Sequence, residues 1–135
     1  MLLQIPPGAR TYELQNSIVW FDDSGILYSR PKSDVVVEQS REEILAEMVK
    51  FKEITGGRKV CLLAESQKNS KPPKKSERDF IANELNSVVK AMAIVTDSAL
   101  SKMVVNLFFS FKPPPYPVKL FMNEHDAREW IRQYL

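Results

Sequence analysis

Cysteine is nearly absent. The single residue, Cys61, rules out an intramolecular disulfide and sits in the apolar run Val60-Cys61-Leu62-Leu63-Ala64, where a small buried hydrophobe is the expected role. Histidine is equally scarce: His125 is alone, and one His with one Cys in separate segments makes no metal-ligand cluster. Glycine is limited to four residues, and none follows the spacing of a phosphate-binding loop. No apolar run approaches a membrane span, the stretch from Ala91 to Val95 being among the longest. The start, Met1-Leu2-Leu3-Gln4-Ile5-Pro6-Pro7, has neither the basic region nor the long apolar region of a secretory signal, and neither end carries a lipidation pattern. The expectation is a cytoplasmic domain with no membrane insertion.

What is present fits one globular unit. The 135 residues suffice for a single domain spanning 1–135, and such a domain buries roughly two thirds of its unfolded surface without a staple. Hydrophobic and charged fractions of 44% and 27% are ordinary for a folded protein.

Residues 12–21 read as a strand rich in β-branched and aromatic side chains. Asp22-Asp23-Ser24-Gly25 forms a turn, and Ile26-Leu27-Tyr28 returns. Pro31 then breaks the ladder or marks an edge, and Val35-Val36-Val37 reads as a third short strand. Ser40-Arg41-Glu42-Glu43 has the form of a capping box, with Ile44, Leu45, Met48, Phe51 and Ile54 on one helical face and Gly56-Gly57 as the stop. A strand from Lys59 to Ala64 follows. Ser76-Glu77-Arg78-Asp79 caps a second helix with Phe80, Ile81, Leu85 and Val88 inward, ahead of the strand Met92 to Val95. Thr96, Asp97 or Ser98 caps a third helix carrying Met103, Val104, Leu107, Phe108 and Phe111 as its apolar face, stopped by Lys112-Pro113-Pro114-Pro115. The last unit is Val118 to Phe121, then a helix capped by Asn123, with Ala127, Trp130, Ile131 and Tyr134 inward. The order predicts an α/β fold: an N-terminal β-hairpin, then alternating helices and strands in a mixed, mostly parallel sheet of four to five strands with about four helices.

This layout resembles the anti-sigma-factor antagonist superfamily (STAS, or SpoIIAA-like), and more closely an uncharacterised bacterial branch of it. The likeness is carried by Arg78, by Lys90-Ala91-Met92-Ala93-Ile94-Val95, by Asn106, by Lys112-Pro113 and Pro117, and by Phe121, Ala127 and Trp130. The resemblance implies a regulatory domain that binds proteins. It departs in one respect: the antagonists resemble one another in an Asp-Ser-Ser/Thr-Gly-Leu segment whose second hydroxyl residue is phosphorylated. Here Asp97-Ser98-Ala99-Leu100 is the nearest string, and Ala99 has no hydroxyl. The corresponding connection, Glu65 to Lys75, holds Ser66 and Ser70 without the motif, so Ser66, Ser70 and Ser98 stand as phosphosite candidates that lack it.

Read on their own chemistry, the remaining candidates fall into three groups. His125, Asp126 and Ser98 hold the residue types of a nucleophilic triad, but neighbouring helical positions diverge by about 100°, so Asp126 cannot orient His125. Asp22-Asp23 reads as a turn former rather than a catalytic carboxylate pair. With no catalytic constellation, cofactor or metal site legible, a non-enzymatic role is expected.

The second group is basic. Lys68, Lys71, Lys74, Lys75 and Arg78 face only Glu77 within residues 68–78, a net of +4 where the whole chain is +2. At the carboxyl end of a parallel strand and ahead of a helix amino terminus, this stretch is a candidate site for a protein partner or for a small anionic ligand such as a metabolite, nucleotide or lipid headgroup. It has no aromatic platform, which argues against nucleic acid. The third group is aromatic: Phe109 and Tyr116 flank the proline run and are candidates for an interface with a partner or a second copy.

Overall fold

In the computed structural model, which describes residues 2–33, 39–66 and 75–135 (the side chains of Lys75, Glu77, Arg78 and Phe108 apart), six strands lie side by side in chain order. They are β1 (Thr11–Glu13), β2 (Ser17–Phe21), β3 (Leu27–Pro31), β4 (Val60–Glu65), β5 (Val89–Val95) and β6 (Val118–Phe121). β1, β2 and β3 pair antiparallel, and β3 through β6 pair parallel. Helices α1 (Arg41–Thr55), α2 (Lys75–Leu85) and α3 (Ala99–Phe111) join the parallel strands, and α4 (Glu124–Ile131) follows β6. The mixed, mostly parallel α/β architecture expected from the sequence is the one found.

The strand count differs because residues 12–21 form two strands. Ser17 accepts a backbone bond from the Leu14 amide at 2.9 Å, which closes a turn over Gln15-Asn16. Asn tolerates turn conformations that a strand interior does not need. At Pro31 the ladder does end on one side: β3 pairs with β4 only as far as Ser29, while Pro31 remains opposite Ser17 on β2. The proposed strand Val35-Val36-Val37 lies outside the described residues.

The helix signals hold at α1 and α4. Ser40 Oγ accepts from the Glu43 amide at 3.1 Å and the Glu43 carboxylate accepts from the Ser40 amide at 3.4 Å, so the capping box is complete. Gly56 closes α1 at φ +68°, the left-handed conformation that favours glycine at a helix end. Asn123 caps α4 through the Asp126 amide at 2.9 Å. α2 begins at Lys75, which places Ser76 inside its first turn rather than before it.

The two faces of the sheet carry separate cores. Three crossovers in one direction, all right-handed by rule, run on the same side of the sheet, and α1 and α2 cover that face. There Phe51 of α1 packs with Leu27, Leu62, Met92 and Tyr116, and Leu85 of α2 lies against them. On the other face Ala127 and Ile131 of α4 pack with Trp20, Tyr28, Leu63, Ala91, Ala93 and Phe121. A bulge opposite Val60 and Cys61 skips Lys90, so that Val89 serves one core and Ala91 the other. The alanines of β5 let α4 approach that strand.

Candidate interaction surface

α3 is where the sequence reading and the structure part. Met103, Val104, Leu107 and Phe111 were expected to be core, yet they are 63%, 53%, 58% and 78% exposed, and Leu100 joins them at 67%. The helix is displaced from the sheet face to its margin, beside β6. Its opposite side, with Lys102, Val105, Asn106 and Phe109, is the half-buried one. A smaller correction of the same kind applies to α1, where Leu45 is 43% exposed while Phe51 is buried.

Asn106 explains how α3 is held there. Edge strands present unpaired peptide groups to solvent, and β6 is an edge. The Pro117 and Phe121 carbonyls turn inward to accept from Met92 and Thr96 of β5 and its end, each at 2.8 Å. By strand alternation the peptide groups of Leu120 point outward. The Asn106 amide satisfies both: its Nδ2 donates to Leu120 O at 3.1 Å, and its Oδ1 accepts from Leu120 N at 2.9 Å. Asn106→Ala is therefore expected to cost about 1–2 kcal/mol in urea denaturation, with Asn106→Asp intermediate because it keeps the acceptor and loses the donor. A cost near zero for both would mean that α3 is held by apolar contact alone.

Next to this joint lies a cleft of about 360 Å³, lined among others by Phe109, Pro115, Tyr116, Lys119 and Trp130. The structure thus brings the two aromatic candidates together, but not in equal roles. Tyr116 is buried in the core that α1 and α2 cover, and burial pushes its phenol up to about 12. Phe109 is half-buried at the cleft and is the accessible member of the pair.

Of the basic group, Lys68, Lys71 and Lys74 lie outside the described residues, as does Ser70, and Lys75 and Arg78 are placed only by their backbone on α2. Ser66 follows β4 at its carboxyl end, its amide donating to Val95 O at 2.9 Å. Ser98 is the cap of α3: its Oγ accepts from the Ser101 amide at 3.1 Å, and its own amide donates to Thr96 Oγ1 at 3.2 Å.

The triad types do not meet. His125 is exposed on α4, and Asp126 turns its carboxylate to Asn123 Nδ2 at 3.1 Å. Asp22 is a turn former, its Oδ1 accepting from the Ser24 and Ile26 amides and from Ser24 Oγ. The Asp22-Asp23 turn does share a cleft of about 560 Å³ with Arg58, Lys59, Cys61 and Lys90, at the amino-terminal ends of β4 and β5. Cys61 itself is 1% exposed, and burial pushes its thiol up. Its alkylation by a thiol reagent is expected to be limited by unfolding, at least ~1000-fold slower in buffer than in denaturant. Stoichiometric labelling of the native protein within minutes would show an opening that this packing does not allow. Among the described residues no group of acidic, histidine or cysteine side chains is placed to hold a metal ion, and no helix is long and apolar enough to cross a membrane.

Comparison with known proteins agrees with this geometry. The profile of a domain of unknown function, DUF7793, matches residues 19–135. Among solved structures, the chain is similar to an uncharacterised protein of the DUF3478 family with a SpoIIAA-like fold from Shewanella loihica PV-4. The identity is 14%, 92% of each chain is covered, and the TM-score is 0.55. A likeness at that identity establishes the fold, which is SpoIIAA-like. No curated protein matches.

Proposed function

The chain belongs to the DUF7793 family, and from that premise we propose that it is a non-enzymatic, regulatory protein-interaction domain of STAS-like type whose contact surface is α3. The observation that carries the reading is the apolar stripe of Leu100, Met103, Val104, Leu107 and Phe111, every member more than half exposed. Single exposed hydrophobes are ordinary on any surface, but a contiguous patch of large ones marks a binding face. Asn106 supports the reading from the other side, because it fixes the helix at the sheet margin with this stripe turned outward. The SpoIIAA-like fold is compatible with such a role, although one fold hosts many functions and the site has to carry the argument.

The test is affinity capture from nuclease-treated host lysate with the wild-type chain, Leu107→Asp and Lys71/Lys74/Lys75→Ala as baits. A specific complex formed by the first and lost with the second supports the reading. Loss instead with Lys71/Lys74/Lys75→Ala moves the contact to the basic stretch. Absence of any specific complex with all three baits overturns the interaction reading, and a nucleotide-dependent rise in melting temperature would then favour an anionic ligand at residues 65–78.

A further inference from the structure

We propose that the occupant of the α3 stripe is α3 of a second copy of this chain, packed antiparallel across a two-fold axis. The proposal rests on the interaction reading above and names its partner. Three observations point to it: the helix carries apolar side chains on both sides, four of its five stripe positions pair about a common midpoint, and its two ends carry opposite charge.

At about 100° per residue, Leu100, Met103, Val104, Leu107 and Phe111 fall within a sector of roughly 100°. Val105, Asn106 and Phe109 occupy the opposite sector, against β6 and the cleft. A helix with apolar side chains on opposite sides is the pattern of a buried helix, and the described fold covers only one of those sides. The spacing i, i+3, i+4, i+7, i+11 is that of a ridge that packs along another helix.

Four of the five stripe positions also map onto one another. Their midpoint falls between Val105 and Asn106, so an antiparallel pair sets Leu100 against Phe111 and Val104 against Leu107, each twice by symmetry. The small Val104 lies near the centre, where the axes run closest, and the bulky Phe111 sits at the ends, where they diverge. No ionisable side chain interrupts the stripe; Lys102, the helix's one charged residue, is on the half-buried side.

Charge then selects the direction. Asp97 is exposed two residues before α3 and Lys112 is exposed immediately after it. In the antiparallel arrangement each Asp97 approaches the other copy's Lys112, whereas a parallel pair would set like charges together. Five large side chains, each more than half exposed, give a pair burying about 1,000 Å² in total, at the lower end of specific interfaces. The dimer is therefore concentration-dependent.

Sedimentation velocity of the full chain over a concentration series tests this. The wild type is expected to move from 15.5 kDa toward twice that mass, while Leu107→Asp stays at the single-chain mass. Asp97→Lys and Lys112→Glu are each expected to weaken the dimer about five- to tenfold, and the double exchange to restore it. All these positions are exposed, so melting temperatures within a few degrees of wild type verify that the variants fold.

A wild type that remains at 15.5 kDa throughout overturns the proposal. So does a dimer indifferent to Leu107→Asp, or one that the double exchange does not restore. Binding to lipid vesicles in place of dimerisation overturns it as well. A monomeric wild type that still captures a different protein through Leu107 overturns self-pairing and leaves the interaction reading standing. A monomer that captures nothing overturns both.

Discussion

Replacing Trp20 with alanine is expected to lower the unfolding free energy by about 3–5 kcal/mol, the largest single-residue loss in the fold. Trp20 is 1% exposed one residue before the end of β2, between Thr11 of β1 and Tyr28 of β3. Its ring stacks on Tyr28 at 5.5 Å and 19°. The Tyr28 hydroxyl accepts from Arg128 Nε at 2.9 Å, and Arg128 in turn reaches Glu124 at 2.6 Å. The indole therefore packs under the connection that ties the antiparallel ribbon to α4. Removing it leaves a void in the core it shares with Leu63 and Ala93, which close-packed surroundings refill only in part. A domain of this size holds only ~5–15 kcal/mol, so the loss is a large share of the total. The melting temperature is expected to fall by roughly 10–20 °C. Trp20→Phe keeps a ring to stack and is expected to lose less than half as much. Guanidinium denaturation followed by circular dichroism measures both, since Trp130 confuses fluorescence. A Trp20→Ala loss under ~1 kcal/mol would mean that the ribbon packs independently of the core.

Much of this core was legible in advance, and the reason is local. Ser40-Arg41-Glu42-Glu43, Gly56-Gly57 and Asn123 are signals in which a side chain bonds to its own neighbourhood, so sequence proximity carries the information. Cys61, Leu63, Ala91 and Ala93 lie in short apolar runs that only a covered strand accommodates. The third helix failed that logic. Its periodicity identifies a helix but not which of two apolar sides meets the protein. The sequence reading took Met103, Val104, Leu107, Phe108 and Phe111 as the apolar face from their helical spacing alone. What decides the matter is Asn106, whose amide matches the outward peptide groups of Leu120 fourteen residues away. That long-range pairing has no local signature. Asn106 stood among the residues carrying the family likeness, but no alternation argument could link it to Leu120 before β6 was known to be an edge. In the same way Gln15-Asn16 held the signal for the β1–β2 turn, overridden by the β-rich residues on either side.

Alkali is expected to unfold this protein between pH 10 and 12, and two tyrosines set that window. Burial pushes the phenols of Tyr28 and Tyr116 up to about 12, and their side chains lie in residues 2% and 7% exposed. For Tyr28 the bond from Arg128 favours the phenolate and offsets part of that rise. In the unfolded chain a tyrosine titrates near 10. Below that value both states keep the proton, and the stability is fully present. Between 10 and 12 the unfolded chain loses its protons first, so the balance shifts toward unfolding by about 1.4 kcal/mol per pH unit for each group. Two groups over two units come to about 5 kcal/mol, comparable with the whole stability of a marginal domain. Among the described residues Tyr116 has no hydrogen bond from its hydroxyl, so Tyr116→Phe is expected to be nearly neutral at pH 7 and to halve the slope above pH 10. Tyr28→Phe flattens the slope by a similar amount but loses the Arg128 bond, so its stability at pH 7 falls by about 1 kcal/mol. Urea midpoints at half-unit pH steps, with tyrosinate absorbance read in parallel, decide between these. If the wild type and Tyr116→Phe lose stability with the same slope, ionisation of buried tyrosine is not what limits the fold in alkali.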